Sequence, residues 1–184
     1  MAFSKIIAES MDLSDSYNFT GTLQQNGASI GGNNKPLLFV RRSSNQTISD
    51  NTLTKIQFDT EVFDTNTAYD NSSNYRYTVP SGQDGKHFVY SQFYGFGNNN
   101  DEKAFEINIY KNGSIVARNY IHHEGQGTGS SGSTTMSVAG IIDLAASDYI
   151  EIYGKIDVNS GTPAIQGGSL TNNYTFLTIS KMIE

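Results

Sequence analysis

The chain has 184 residues, with 12 Lys+Arg against 18 Asp+Glu for a formal charge of −6, and it carries 11 Tyr and 10 Phe but no Trp and no Cys. That length suits one domain of ordinary size plus a short extra segment. No cationic cluster exceeds Arg41-Arg42, which excludes a phosphate-tracking nucleic-acid surface; without cysteines, core packing or oligomerisation must hold the fold, and no run nears the ~20 apolar residues of a membrane-spanning helix.

Residues 1–35 read differently from the rest. Met1 to Met11 lacks a basic start followed by a long apolar run, so no secretory leader is expected. Ile6, Ile7 and Leu13 mark a briefly apolar stretch, and Gln24 to Asn34 is a Gly/Asn-rich linker with little to bury. We read 1–35 as an arm held by something outside the domain, and 36–184 as the folded domain.

Pro36 to Val40 opens the first core strand. From Leu53 onward, alternation of period two dominates. Ile56, Phe58, Thr60 and Val62 share one face of a strand. Phe88, Tyr90 and Tyr94 oppose Val89 and Phe93, so that strand is apolar on both sides and central to its sheet. Phe105, Ile107 and Ile109 alternate with Glu106 and Asn108, the pattern of a half-buried strand. Asn112-Gly113 follows, a strong hairpin signal because both turn residues must adopt positive φ, and Ile115 and Val116 begin the return. A Gly/Ser tract runs from Glu124 to Ser133. Val138, Ile142 and Leu144 belong to the next strand, Ile150 and Ile152 alternate with Tyr149, Glu151 and Tyr153, and Tyr174 to Ile183 is the last. Eight to ten strands at turn spacings of about 8–12 residues predict a sandwich or barrel, with no helix of useful length after residue 15.

Signals for chemistry are sparse. Gly127 to Gly132 fits the spacing GxGxxG but leads into a strand, whereas a phosphate site needs a helix N-terminus there; we read it as a loop. Asp64, Asn66, Ala68 and Asp70 alternate like the start of a calcium loop, yet Tyr69 and Tyr75 occupy the positions where such a loop needs Gly and Glu. Asp64 and Asp70 are better explained as turn caps, with calcium as the alternative. There is no cysteine nucleophile, no serine in a GxSxG elbow and no carboxylate pair set apart for acid–base work, so no enzymatic activity and no cofactor are expected. Five Asn-X-Ser/Thr triplets, beginning at Asn18, Asn45, Asn71, Asn112 and Asn173, read as polar loops. Tyr and Asn gather in two predicted loops, at Tyr69, Asn71 and Tyr75 and at Tyr94 and Asn98, a mixture suited to glycan or protein recognition.

One ordered set of landmarks goes further. Phe63-Asp64, Tyr69-Asp70, Tyr77-Thr78-Val79-Pro80 and Gly85-Lys86-His87-Phe88-Val89-Tyr90 resemble the signature of C1q/TNF-like globular heads. Asp143-Leu144 with Ser147-Asp148-Tyr149-Ile150 resembles a corner of the same family, with Ser147 where glycine is usual. Met1 to Leu13, Phe19 to Thr22 and Thr54 to Asp64 resemble structural proteins of marine tailed bacteriophages that carry such a domain. The resemblance implies an all-β, ten-stranded jelly-roll sandwich with an extended N-terminal arm, assembled as a homotrimer. Phe88, Tyr90 and Phe93 would then fill the core on one side and meet neighbouring subunits on the other, and His122 from three chains could converge on an axial metal. It implies a non-enzymatic virion protein: a capsid decoration or head-fibre protein attached to the major capsid protein through Ile6, Ile7 and Leu13. The alternative is the tip of a tail fibre or spike that binds a host surface glycan or protein. No nucleic-acid or membrane partner is implied.

Overall fold

The computed structural model describes residues 35–97, 102–123, 133–172 and 174–182, together with the backbone of 24–25 and 28–29. The chain divides into two compact units, Met1–Asn33 and Asn34–Glu184. In the first, β1 (Gln24–Gln25) and β2 (Ala28–Ser29) pair antiparallel, so part of the expected linker is a small hairpin. Ile6, Ile7 and Leu13 lie outside the described residues, as do Asn98 and the Gly127–Gly132 tract.

The second unit is all β among its described residues. In chain order its strands are β3 (Leu37–Arg41), β4 (Gln46–Thr47), β5 (Thr54–Lys55), β6 (Thr60–Asp64), β7 (Tyr69–Asp70), β8 (Arg76–Thr78), β9 (Gly85–Phe96), β10 (Glu102–Lys111), β11 (Ser114–His122), β12 (Ser133–Leu144), β13 (Tyr149–Val158), β14 (Ala164–Ile165) and β15 (Phe176–Lys181). One sheet has the order β4-β14-β9-β15-β3-β6, with β12 also paired along β9; the other has the order β11-β10-β13-β8-β7, with β5 paired to β13. Every pairing is antiparallel.

The core lies where the inner faces meet. Leu38, Val40, Val89, Phe93, Leu177 and Ile179 come from the seven-stranded sheet; Tyr77, Phe105, Ile107, Ile109, Ile150, Ile152 and Ile156 come from the six-stranded one. Each such side chain, fully buried, contributes about 1.5–3 kcal/mol relative to remaining exposed.

The expected strand through Ile56, Phe58, Thr60 and Val62 is broken in two. β5 belongs to the six-stranded sheet and β6 to the seven-stranded one, and 56–59 carries the chain from one to the other. Ile56 and Phe58 are buried at the crossing, whereas Val62 is exposed. Backbone groups removed from a ladder need other partners, and side chains supply them. The Gln46 side chain donates to Lys55 O at 2.8 Å and accepts from Gln57 N at 2.9 Å, and Arg42 Nη1 donates to Gln57 O at 3.0 Å while pairing with Asp59 at 2.9 Å.

The Asn112-Gly113 turn forms as expected, with φ of 50° and 79°. Ser147 also adopts a left-handed backbone, with φ of 73°, so the corner keeps a glycine-like conformation without glycine. Asp148 holds this corner: its carboxylate accepts from Ala145 N at 2.8 Å, Asn112 Nδ2 at 2.6 Å and Lys111 Nζ at 2.9 Å. The bonds from Lys111 and Asn112 bring its pKa down to about 2.

His87 is the one histidine drawn into the core, fully buried on the inner face of β9. Its Nδ1 lies 3.0 Å from Gly85 O, Nε2 has no partner, and its ring stands 6.0 Å from that of Tyr77, whose hydroxyl is also unpartnered. Burial disfavours the imidazolium, and Lys181 adds repulsion, so the pKa lies below the ordinary 6.5.

Two outcomes follow for stability. Ser147→Gly should stabilise the fold by about 0.5–1 kcal/mol, because relief of the left-handed strain exceeds glycine's added chain entropy; thermal unfolding should show a rise of roughly 2–4 °C per kcal/mol, and a lower midpoint would refute the strain. Because the unfolded chain takes up a proton near pH 6.5 and folded His87 resists it, stability should fall as pH drops below 6.5 toward the depressed folded pKa. Urea unfolding at pH 5 and pH 8 should show His87→Leu losing less on acidification than the wild type; equal losses would exclude His87 as a source.

Candidate functional site

Among the described residues no three His, Asp or Glu side chains gather to hold a metal ion. Asp64 and Asp70 are occupied as caps. Asp64 accepts from Asn66 N at 3.1 Å, Ala68 N at 2.6 Å and Tyr69 N at 2.8 Å. Asp70 accepts from the backbone of Ser72, Ser73 and Asn74 and from Asn74 Nδ2, bonds that hold its pKa well below the usual carboxylate range. Both carboxylates spend their lone pairs on N–H groups of their own loop. His122 is exposed near the end of β11, its ring stacked on that of Tyr120 with Nδ1 3.3 Å from the Tyr120 hydroxyl.

The two predicted recognition loops are not loops of exposed tyrosines. Tyr69 begins β7 and points into the core. Tyr94 lies within β9, on the outer face of its sheet, where its hydroxyl donates to Ser133 Oγ at 2.6 Å and its ring packs 5.6 Å from Tyr174. Asn71 and Tyr75 stay in the turn between β7 and β8, both half-buried, with Tyr75 at φ 49°. Alternation of period two had assigned Tyr94 a face; the aromatic-plus-Asn composition misled because it is shared by strand ends and loops.

The outer faces of the two sheets are more informative, and they differ. On the seven-stranded sheet a file of rings crosses four strands: Phe63 of β6 is 5.8 Å from Phe39 of β3, Phe39 is 5.4 Å from Phe176 of β15, and Phe176 is 5.7 Å from Tyr90 of β9. Phe88 continues the surface opposite Ile141 of β12, and these two remain 37% and 60% exposed. Phe93, on the inner face of the same strand, is fully buried. The sheet edge also exposes apolar side chains: among the described residues β11 pairs only with β10, and it exposes Ile115 and Val116 near its start and Ile121 near its end.

The outer face of the six-stranded sheet is polar and interlocked. β10 is buried on both faces rather than half-buried, since Glu106 and Asn108 are covered as fully as Ile107. Glu106 receives Arg118 Nε at 2.9 Å, Lys155 Nζ at 3.3 Å and Asn108 Nδ2 at 2.9 Å. Burial alone would raise its pKa; the bonds from Asn108 and Lys155 and the charges of Lys155 and Arg118 outweigh that and lower it. Arg118 and Lys155 both lie over the Tyr120 ring, at 5.3 and 5.7 Å. Beside them Tyr110 packs 4.4 Å from Tyr153, Lys55 bonds Glu151 at 2.6 Å, and Arg76 lies 4.5 Å from the Tyr149 ring. The buried pair Glu106–Asn108 was hidden in the sequence as ordinary outward-facing polar positions, and only the closeness of Arg118, Tyr120 and Lys155 marks it.

No family model matches the chain, and no curated protein matches it. Solved structures do. Eiger TNF from S. frugiperda aligns at 9% identity over 82% of this chain and 95% of that one, with a TM-score of 0.56. Murine APRIL at pH 5.0 aligns at 16% identity over 80% of this chain and 98% of that one, with a TM-score of 0.54. The globular domain of zebrafish complement 1qA aligns at 12% identity, covering 79% and 94%, with a TM-score of 0.47. At these identities the likeness is one of fold: two antiparallel sheets packed as a TNF-like jelly roll.

Proposed function

We propose that this chain is a non-enzymatic, homotrimeric virion structural protein of a tailed bacteriophage, a capsid decoration or head-fibre protein fixed to the shell by residues 1–35. The observation that carries the assembly is the aromatic file that runs from Phe63 to Tyr90 and continues through Phe88 beside Ile141; the edge strand β11, with Ile115 and Val116 exposed at its start, is an unlike surface that could receive it. Contiguous exposed apolar area marks an interaction surface. Two different surfaces on one subunit favour a head-to-tail contact, which closes into a ring when the rotation allows. Three copies is the closure that the TNF-like fold favours, and a threefold module fits the local symmetry points of an icosahedral shell. The arm sequence, with its resemblance to phage structural proteins, supports the virion reading. Clamping neighbouring shell subunits would then stabilise the particle by avidity.

Light scattering on the full chain at micromolar concentration should give three times the chain mass of 20.1 kDa. Phe88→Glu combined with Ile141→Glu should give a monomer with unchanged far-ultraviolet circular dichroism, since both side chains face outward. Phe93→Ala should instead cost about 3–5 kcal/mol of fold stability. A monomeric wild type would overturn the trimer. Placement is tested by cryo-electron microscopy of particles: copies distributed over the head support decoration, and a few copies at the tail tip replace it with the receptor-binding reading.

A further inference from the structure

We infer that Asn112 is a latent deamidation site, kept unreactive while Asp148 and the Tyr149 backbone hold its carboxamide, and that conversion to aspartate opens this clasp irreversibly. The inference rests on the covalent chemistry and hydrogen bonds of the chain itself, whatever the chain assembles with.

The sequence supplies the hazard. Asn112-Gly113 is one of two Asn-Gly pairs in the chain, and both of its residues are exposed to water. Glycine after asparagine favours deamidation because no Cβ shields its nitrogen and its backbone bends freely. In that reaction Gly113 N gives up its proton to solvent and bonds to Asn112 Cγ. The Cγ–Nδ2 bond breaks, and Nδ2 takes a proton and leaves as ammonia. One water then opens the cyclic imide to aspartate, or to isoaspartate when the main-chain carbonyl is the one hydrolysed. The balance is one water consumed and one ammonia released, with no oxidation or reduction.

The structure supplies the lock. Attack requires the carboxamide to swing over Gly113 N, but its nitrogen and its oxygen are both held by residues far along the chain. Nδ2 donates to Asp148 Oδ1 at 2.6 Å, and Oδ1 accepts from Tyr149 N at 2.9 Å. Asn112 N also donates to Tyr149 O at 3.1 Å. Asn112 and Tyr149 thus add one rung beyond Lys111 and Ile150, the last pair of the β10–β13 ladder. Asp148 is itself fixed by Ala145 N and Lys111 Nζ, and its backbone is tied to Val79. With a pKa of about 2 it stays ionised wherever Asn112 is reactive.

Conversion would turn this attraction into repulsion. Aspartate at 112 has no N–H for Asp148 and sets a second carboxylate within hydrogen-bond distance of the first, with Lys111 left to serve both. Isoaspartate lengthens the main chain and cannot keep the two-residue turn. Either product unfastens the β10–β11 hairpin, whose return strand exposes Ile115 and Val116, from the corner at 145–148.

The test follows Asn112 by peptide mass spectrometry, after pepsin digestion in acid, in the full chain aged at mildly alkaline pH. The native wild type should deamidate there about tenfold more slowly than the same chain unfolded in guanidinium chloride, the ratio that a charge-assisted hydrogen bond open to water provides. Asp148→Ala, shown folded by circular dichroism, should recover most of that factor. If Asp148→Ala does not fold, Asp148→Asn keeps an acceptor without the charge and should give a smaller acceleration. Asn112→Asp should lower the thermal midpoint, and combining it with Asp148→Asn should regain part of the loss by restoring an acid–amide pair. Equal rates in native and unfolded wild type, a folded Asp148 variant as slow as the wild type, or an Asn112→Asp midpoint that does not move would overturn the assignment.

Discussion

Two absent side chains set how closely the sheets approach. A Cβ at Gly95 would stand 2.7 Å from Ile156 Cδ1 and 2.8 Å from Phe93 Cε2, and one at Gly154 would stand 3.2 Å from Phe93 Cε1. The Phe93 ring therefore occupies space that exists because glycine stands on both sheets around it. This contact joins the longest central strand of one sheet to β13 of the other, and the surrounding isoleucines close on it at interior packing density. The remainder of the sandwich depends on it. Once the inner faces are committed to one another, each sheet's outer face is left to a separate purpose.

Those outer faces follow opposite physical rules. The seven-stranded sheet carries rings that find partly apolar company among themselves yet stay half-exposed, the condition under which a second surface completes the burial. The six-stranded sheet places carboxylates where water is nearly excluded, which is tolerable because each is paired and hydrogen-bonded. Glu106 has two cations and an amide around it, and Glu151 has Lys55 and the Tyr153 hydroxyl. The outcome is a rigid polar lattice rather than a mobile solvated surface.

Much of the strand plan was legible in residue order. The two-sided apolar character of 88–94, the Asn112-Gly113 hairpin and the alternation at 149–153 all rest on local geometry: a strand has period two, and a tight hairpin demands positive φ. Asp64 and Asp70 were legible as caps for the same reason, since their donors lie within five residues. The readings that failed depended on distant partners. Nothing local distinguishes Ile56 and Phe58 in a crossing segment from the same residues in a continuous strand, because the difference is which sheet each end of the segment joins: Ile56 N still bonds Ile152 O of β13, whereas Thr60 already pairs with Arg41 of β3. Tyr69 looked like a surface tyrosine until β7 turned it inward.

The sequence by itself determined the all-β class, the positions of the long strands and which side of each strand is apolar, because those properties depend on neighbours one or two residues away. It also determined that Ser147 stands at a turn, although not that the backbone there stays left-handed. Only the tertiary structure decided that Glu106 and Asn108 are buried, that Phe88 and Ile141 lie side by side, and that cations from β5, β8, β10, β11 and β13 share one face. Register across antiparallel strands brings together residues as far apart as Lys55 and Glu151. Such a meeting is set by the packing of the whole sandwich and leaves no mark in local order.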